Sequence, residues 1–156
     1  MDIPKENFDP MTPIDIIKND TKKCKNNFIV AHLNARSLNK NIVELREIIE
    51  KADFDVISIS ESWLRSRTPR DRFTINGYNI FRNDRRNTRG GGVCCYVRDQ
   101  YIAKKIKIPS ISLNPEFMFV EVSILHQKLA IGTFYKAPKI PARVLHDIHD
   151  SLIYIF

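Results

Sequence analysis

Cysteine is scarce in this chain and badly placed for crosslinking. Three occur in 156 residues, Cys24 and the adjacent pair Cys94 and Cys95. An odd count with a neighbouring pair is a poor disulfide framework, and no paired spacing suits zinc. Such usage fits a reducing compartment, so the expected location is intracellular, the nucleus ahead of the cytoplasm. Long apolar runs are also missing, and no stretch reads as a membrane-crossing helix. Met1 to Glu6 is polar and charged, unlike the apolar core of a secretory leader. Internal repeats and low-complexity tracts are absent.

What is present is ordinary in amount and uneven in placement. Apolar residues make up 43% and charged residues 28%, as in a soluble globular chain of one domain. A complete domain of this size buries about 70% of its unfolded surface. The net charge is +7, and residues 65–89 hold eight arginines against two aspartates. That segment carries nearly all of the excess. Arginine grips phosphate through two parallel hydrogen bonds, so the segment reads either as a nucleic-acid face or as a solvated loop that keeps the protein soluble.

In chain order, residues 1–27 read as a flexible leader. Pro4, Pro10 and Pro13 break early helix, Ile14 to Ile17 suggests one short helical turn, and Asn19 to Asn27 is polar and Lys-rich. Residues 28–156 form the domain. Phe28 to Leu33 reads as a buried first strand, with His32 packed in the core. Asn39 to Lys51 is the clearest helix, since Ile42, Leu45, Ile48 and Ile49 share one face. Asp55 to Ser60 has the alternation of a second strand, and Glu61 stands at its carboxyl end. Strand, helix, strand in this order is a βα-type unit. Further strands are expected at Tyr78 to Phe81 and at Val93 to Val97, where Cys94 and Cys95 face opposite sides. Phe117 to Leu125 and Leu129 to Tyr135 form a hairpin turning at His126 to Lys128. Ala142 to Tyr154, after Pro141, reads as a helix bearing an exposed His146 and His149. Gly90-Gly91-Gly92 lacks the spacing of a phosphate loop and is a permissive bend before a strand.

Three polar residues end three strands: Asn34, Glu61 and Tyr135. Ligands of open α/β sheets gather at the carboxyl ends of strands. A carboxylate there can hold a hard cation such as Mg²⁺, or simply cap a loop. The metal reading requires the three tips to converge in one pocket.

The ordered set of motifs resembles the endonuclease/exonuclease/phosphatase superfamily, and within it the endonuclease domain of jockey-like non-LTR retrotransposons. Its carriers are Leu33-Asn34-Ala35-Arg36-Ser37-Leu38 with Lys40, Ile59-Ser60-Glu61-Ser62-Trp63-Leu64, Gly77-Tyr78, Arg82-Asn83-Asp84-Arg85, Gly90-Gly91-Gly92-Val93 with Tyr96-Val97, and Phe134-Tyr135-Lys136-Ala137-Pro138. The resemblance covers roughly residues 28–150. It implies a four-layer α/β sandwich of two mixed β-sheets flanked by helices. It implies a divalent metal, Mg²⁺ or Mn²⁺, held by Glu61 with Asn34, and a catalytic set of Asn34, Glu61 and Tyr135. Arg36 is expected to contact DNA phosphate, as are Arg82, Arg85, Arg86 and Arg89.

The function implied is metal-dependent phosphodiester hydrolysis, as a DNA endonuclease nicking target DNA for a retrotransposon. DNA is the expected partner, with a reverse transcriptase domain on the same chain in a full-length element. Two departures bear on activity. The family's Gly-Asp-Phe-Asn and Ser-Asp-His motifs, which supply catalytic acids and the general base, do not occur. The chain therefore reads as truncated, the C-terminal part of the domain lacking. Loss of a general base typically costs about 10²–10⁴-fold, so little nicking is expected of this chain alone. Uncovered sheet edges and apolar faces should also lower its stability. A non-catalytic DNA-binding remnant and a small-molecule phosphatase of the same superfamily are the alternatives.

Overall fold

The computed structural model describes residues 12–24, 26–85, 90–107 and 116–138. Its elements run α1 (Pro13–Lys23), β1 (Val30–Asn34), α2 (Leu38–Lys51), β2 (Val56–Ser60), a 3₁₀ turn (Asp71–Phe73), β3 (Tyr78–Asn83), β4 (Val93–Arg98), β5 (Ala103–Lys105), β6 (Glu116–Ile124) and β7 (Gln127–Tyr135).

Part of the segment expected to be a flexible leader is helical. Thr12 caps α1: its hydroxyl accepts from the Asp15 amide at 3.2 Å, and the Asp15 carboxylate accepts from the Thr12 amide at 3.2 Å. This reciprocal box satisfies two donors that a helix start otherwise leaves open. Pro13 begins the helix instead of breaking it, because its missing N–H is not needed in the first turn. Ile17 then packs against the core.

α2 forms where the apolar spacing places it. Leu38, Ile42, Leu45 and Ile49 are buried along one face. It connects β1 to β2, which pair in parallel from Val30 opposite Val56 to Asn34 opposite Ser60. β2 pairs antiparallel with β4, and β4 with β3, so the first sheet is mixed, in the order β1-β2-β4-β3. The second sheet is antiparallel, β5-β6-β7. Its hairpin closes through Leu125 and His126 alone, since Ile124 still pairs with Gln127. The short β5 carried no alternation long enough to read.

Strand alternation divides the interior in two. Ile57, Ile59, Cys94 and Tyr96 face α2 in one cluster. Val56, Val93, Cys95 and Val97 face the second sheet and meet Met118, Val120, Val122 and Ile131. The two cysteines thus lie on opposite sides of β4, as expected. A buried hydrogen bond of 2.7 Å between the Ser58 and Thr133 hydroxyls ties the sheets together within this otherwise apolar layer. Helices, first sheet and second sheet give three layers of the expected α/β sandwich. The helix expected at 142–154, with His146 and His149, lies outside the described residues.

β1 departs from its expectation of burial. Val30 and Leu33 are 48% and 36% exposed, because β1 is the outer strand of its sheet among the described residues. An apolar run marks a strand without saying whether a neighbour covers it. His32 is likewise exposed, its ring within reach of the Ser58 hydroxyl at 3.3 Å and the Ser60 hydroxyl at 3.5 Å.

Burial pushes the Cys95 thiol up to about 12 and the Cys94 thiol higher still, whereas Cys24 is only half-buried. The thiolate is the reactive form. Iodoacetamide at neutral pH is therefore expected to modify Cys24 alone in the native protein and all three thiols in denaturant. Mass spectrometry reads the count, and native alkylation of Cys94 or Cys95 would contradict the buried β4.

Candidate active site

The three strand tips meet. The Asn34 side-chain amide donates to Glu61 Oε1 at 2.9 Å. The Tyr135 phenol, from the second sheet, lies near enough to the same carboxylate to feel its charge. Asn34 is itself oriented from its other end, because its Oδ1 accepts the Arg36 amide at 3.2 Å. Partial burial, and then the negative charge of Glu61, raise the Tyr135 phenol above its ordinary value, against the opposing pull of the Arg85 guanidinium. Tyr135 is therefore a neutral donor at physiological pH.

Backbone geometry explains how residues from two sheets converge. Simple alternation along β2 would send Glu61 to the face of Ile57 and Ile59, toward α2. Glu61 instead has φ 52°, and its carboxylate reaches Tyr135 of the opposite sheet. This left-handed conformation costs a non-glycine residue roughly 1–2 kcal/mol. Trp63 (φ 56°), Arg36 (φ 42°) and Ser37 (φ 102°) are also on the positive side. Such outliers persist only where surrounding bonds over-determine them.

Those bonds are present on both flanks. The amides of Ala35, Ser37 and Leu38 donate to the carbonyls of Ser60, Glu61 and Ser62 at 3.0, 2.9 and 2.9 Å. On the other flank the amides of Ser62 and Trp63 donate to the carbonyls of Gly92 and Gly91 at 3.1 and 2.8 Å. The chain beyond β2 is thus clamped between the exit of β1 and the approach to β4. Gly92, at φ +77°, sits so close that a Cβ would stand 2.9 Å from Ser62 Oγ. Glycine is required there for space as well as for backbone sign.

A buried ion pair closes the same end of the sandwich. Glu116 accepts from Arg85 Nε and from the Gly92 amide. A side chain at Gly91 would collide with both Glu116 and Arg85. The Arg85 guanidinium also lies 5.9 Å from the Tyr135 ring centroid, within the range of a cation–π contact. Glu116 was not singled out from sequence. Its signal was its phase: it shares the inward alternation of Met118, Val120 and Val122, so it is a charge on an interior face, which requires a partner.

Asn34, Glu61 and Tyr135 are brought together, and Arg36 is exposed beside them. Arg82 is turned inward: it pairs with Asp84 at 2.6 Å and donates to the carbonyls of Thr68 and Arg65 at 3.2 and 2.9 Å. Arg85 is held by Glu116. Arg86 and Arg89 lie outside the described residues.

Acceptor chemistry allows a hard cation at this point. Glu61 is half-buried and accepts from Asn34, while an ionised carboxylate offers about four acceptor positions. Mg²⁺ commonly takes one or two carboxylates and fills its shell with water and substrate phosphate. No cluster of three or more His, Cys, Asp or Glu suited to a metal occurs among the described residues. The donor set therefore fits a one-carboxylate, water-rich site and not an enclosed one.

Solved structures share this architecture. The endonuclease domain of TRAS1, a telomere-specific non-LTR retrotransposon, matches with a TM-score of 0.64 at 13% identity, over 83% of this chain and 54% of that one. The AP endonuclease LMAP from Leishmania major matches at 0.54 and 18%, over 77% and 43%. The 3′ phosphatase NExo from Neisseria, bound to a product DNA hairpin, matches at 0.56 and 13%, over 80% and 49%. The chain shares the α/β sandwich fold of these structures, the fold class expected from its motif order. It spans about half the length of these structures. No family model matches it, and no curated protein matches it in sequence.

The left-handed backbone at Glu61 makes an unusual stability ordering. Glu61→Gly and Glu61→Ala both remove the carboxylate, but only glycine relieves the strain. Glu61→Gly is expected to be more stable than Glu61→Ala by about 1 kcal/mol in urea unfolding; the reverse order would show that this residue is not left-handed. Arg85→Ala strands a buried Glu116 carboxylate and is expected to cost about 3 kcal/mol. A loss under 1 kcal/mol would show that the pair is solvated.

Proposed function

We propose, from a fold shared with these nucleases and a phosphatase, that this chain supplies the metal- and phosphate-binding part of a divalent-metal-dependent DNA phosphodiesterase. The observation that carries the reading is the convergence of an amide, a carboxylate and a phenol from three strand tips on one point. Glu61 and Asn34 are the residues that would hold Mg²⁺ or Mn²⁺. The cation, when bound, offsets negative charge on the phosphoryl oxygens. Tyr135, kept protonated, donates a hydrogen bond toward a phosphate oxygen once Glu61 is otherwise engaged. The Asn34 amide orients the carboxylate and presents a second donor. Arg36, exposed at the exit of β1, meets a neighbouring phosphate of the DNA strand.

The general base is the weak link. No described residue beside Glu61 is placed to activate water, and removal of such a group typically slows hydrolysis about 10²–10⁴-fold. The same surface without a base would bind DNA and leave it intact, which is the second reading.

Plasmid relaxation separates the two. With Mg²⁺ or Mn²⁺ the chain is expected to nick supercoiled DNA slowly, and chelator or Glu61→Gln should each abolish the nicking. Tyr135→Phe should lower the rate about 10²-fold. Nicking that survives in chelator or in Glu61→Gln overturns the hydrolytic reading. A retarded but uncut plasmid at every metal concentration replaces it with the binding reading.

A further inference from the structure

The Arg-rich segment after β2 divides its arginines between two tasks. Two of its guanidinia, with one from α2, hold backbone. Arg82 donates to the carbonyls of Arg65 and Thr68, Arg70 to the Ile80 carbonyl at 2.6 Å, and Arg46 of α2 to the carbonyls of Arg72 and Thr74 at 3.0 and 3.1 Å. The turn at Arg65 is closed further by its amide donating to Thr68 Oγ1 at 3.0 Å and by the Thr68 amide donating to its carbonyl at 2.7 Å. The backbone that carries Arg65, Arg67 and Arg72 is therefore pinned at several points.

Those three side chains do something else. All are exposed, and none forms an ion pair among the described residues. They line one open cleft of about 590 Å³, whose walls also include Trp63, Ser37 and Gly90. Among the described residues no acidic side chain lines it. Gly90 lies against the Trp63 indole, where a Cβ would come 3.6 Å from Nε1. The clamp that sets Glu61 also sets Trp63, through its amide bond to the Gly91 carbonyl. The cleft thus begins two residues past Glu61 and touches Ser37, whose amide holds the Glu61 carbonyl.

Three exposed guanidinia with no ion pair among the described residues, and a half-buried indole at the wall of an open groove, suit a polyanion that carries flat rings. Guanidinia bind phosphate bidentately, and indole stacks on any base. We infer that this cleft is a subsite for the DNA strand next to the scissile position, with phosphates on Arg65, Arg67 and Arg72 and one base on Trp63. The subsite rests on the proposed function only for its place beside the cut; its binding chemistry stands apart. Internal arginines keep the loop in shape before the strand arrives, so little ordering cost falls on binding.

Trp63 is the only tryptophan of the chain, which makes the cleft self-reporting. The experiment titrates the whole chain, in chelator, with a labelled single-stranded DNA oligonucleotide and follows tryptophan emission and oligonucleotide anisotropy together. Emission should be quenched in step with anisotropy. The triple variant Arg65→Gln, Arg67→Gln, Arg72→Gln should flatten the slope of log affinity against log salt by about 2, at roughly 0.7 per lost contact. Trp63→Ala should weaken binding about tenfold. Lys18→Gln with Lys22→Gln, on α1 near the opposite end of α2, is the charge control and should leave the slope nearly unchanged. Circular dichroism confirms that each variant is folded, and Trp63→Phe serves if Trp63→Ala is not. Anisotropy that rises with no change in emission, or an equal slope in the triple variant and the control, overturns the subsite. Nicking unaffected by the triple variant, with no quenching, removes the subsite and leaves the hydrolytic reading standing. Quenching with an altered salt slope and no nicking under any metal does the reverse.

Discussion

One backbone constraint organises this end of the molecule: Glu61 is held in a left-handed conformation by main-chain hydrogen bonds on both sides. The chain from the exit of β1 to the start of α2 contributes three bonds and the glycine run before β4 contributes two. Each is worth about 1 kcal/mol net, comparable to the strain of a single left-handed residue. The result is a carboxylate that leaves the helical face of its sheet and enters the space between the sheets. Asn34 and Tyr135 could not both reach it otherwise. The clamp also sets Trp63, so the candidate metal point and the basic cleft share one mechanical origin.

The second sheet is locked to that point by two contacts of different kinds. The Ser58–Thr133 hydroxyl bond fixes how β7 lies across β2. Two residues further along β7 is Tyr135. The Arg85–Glu116 pair fixes the other edge of the opening and carries the Tyr135 ring against its guanidinium. Charge in this protein therefore serves structure before it serves ligands. Of the arginines in the basic segment, those that bind carbonyls or carboxylates give the loop its form. Those left at the surface carry the excess charge that the composition advertised.

Much of this was legible in the residues. The face of α2, the opposite sides taken by Cys94 and Cys95, the hairpin after Phe117 and the polar ends of three strands all follow from period and position. α1 runs beyond the single turn that Ile14 to Ile17 suggests, because Thr12 and Asp15 cap it reciprocally and Pro13 suits a first turn. β1 was expected to be covered because its composition is apolar, yet Val30 and Leu33 are exposed. Arg82 and Arg85 were expected to face DNA because they are basic, and they are instead bound within the protein.

The sequence by itself determined the longer strands and α2, their order, and which chemistry stands at the ends of β1, β2 and β7. Those properties depend on neighbours two to four residues away, and local periodicity encodes them. Tertiary structure alone decided the direction of the Glu61 carboxylate, the partner of Glu116, and which arginines hold backbone carbonyls. Each of these depends on groups about 10 to 31 positions apart, and no local pattern records which of several possible long-range partners a charged or polar side chain will meet.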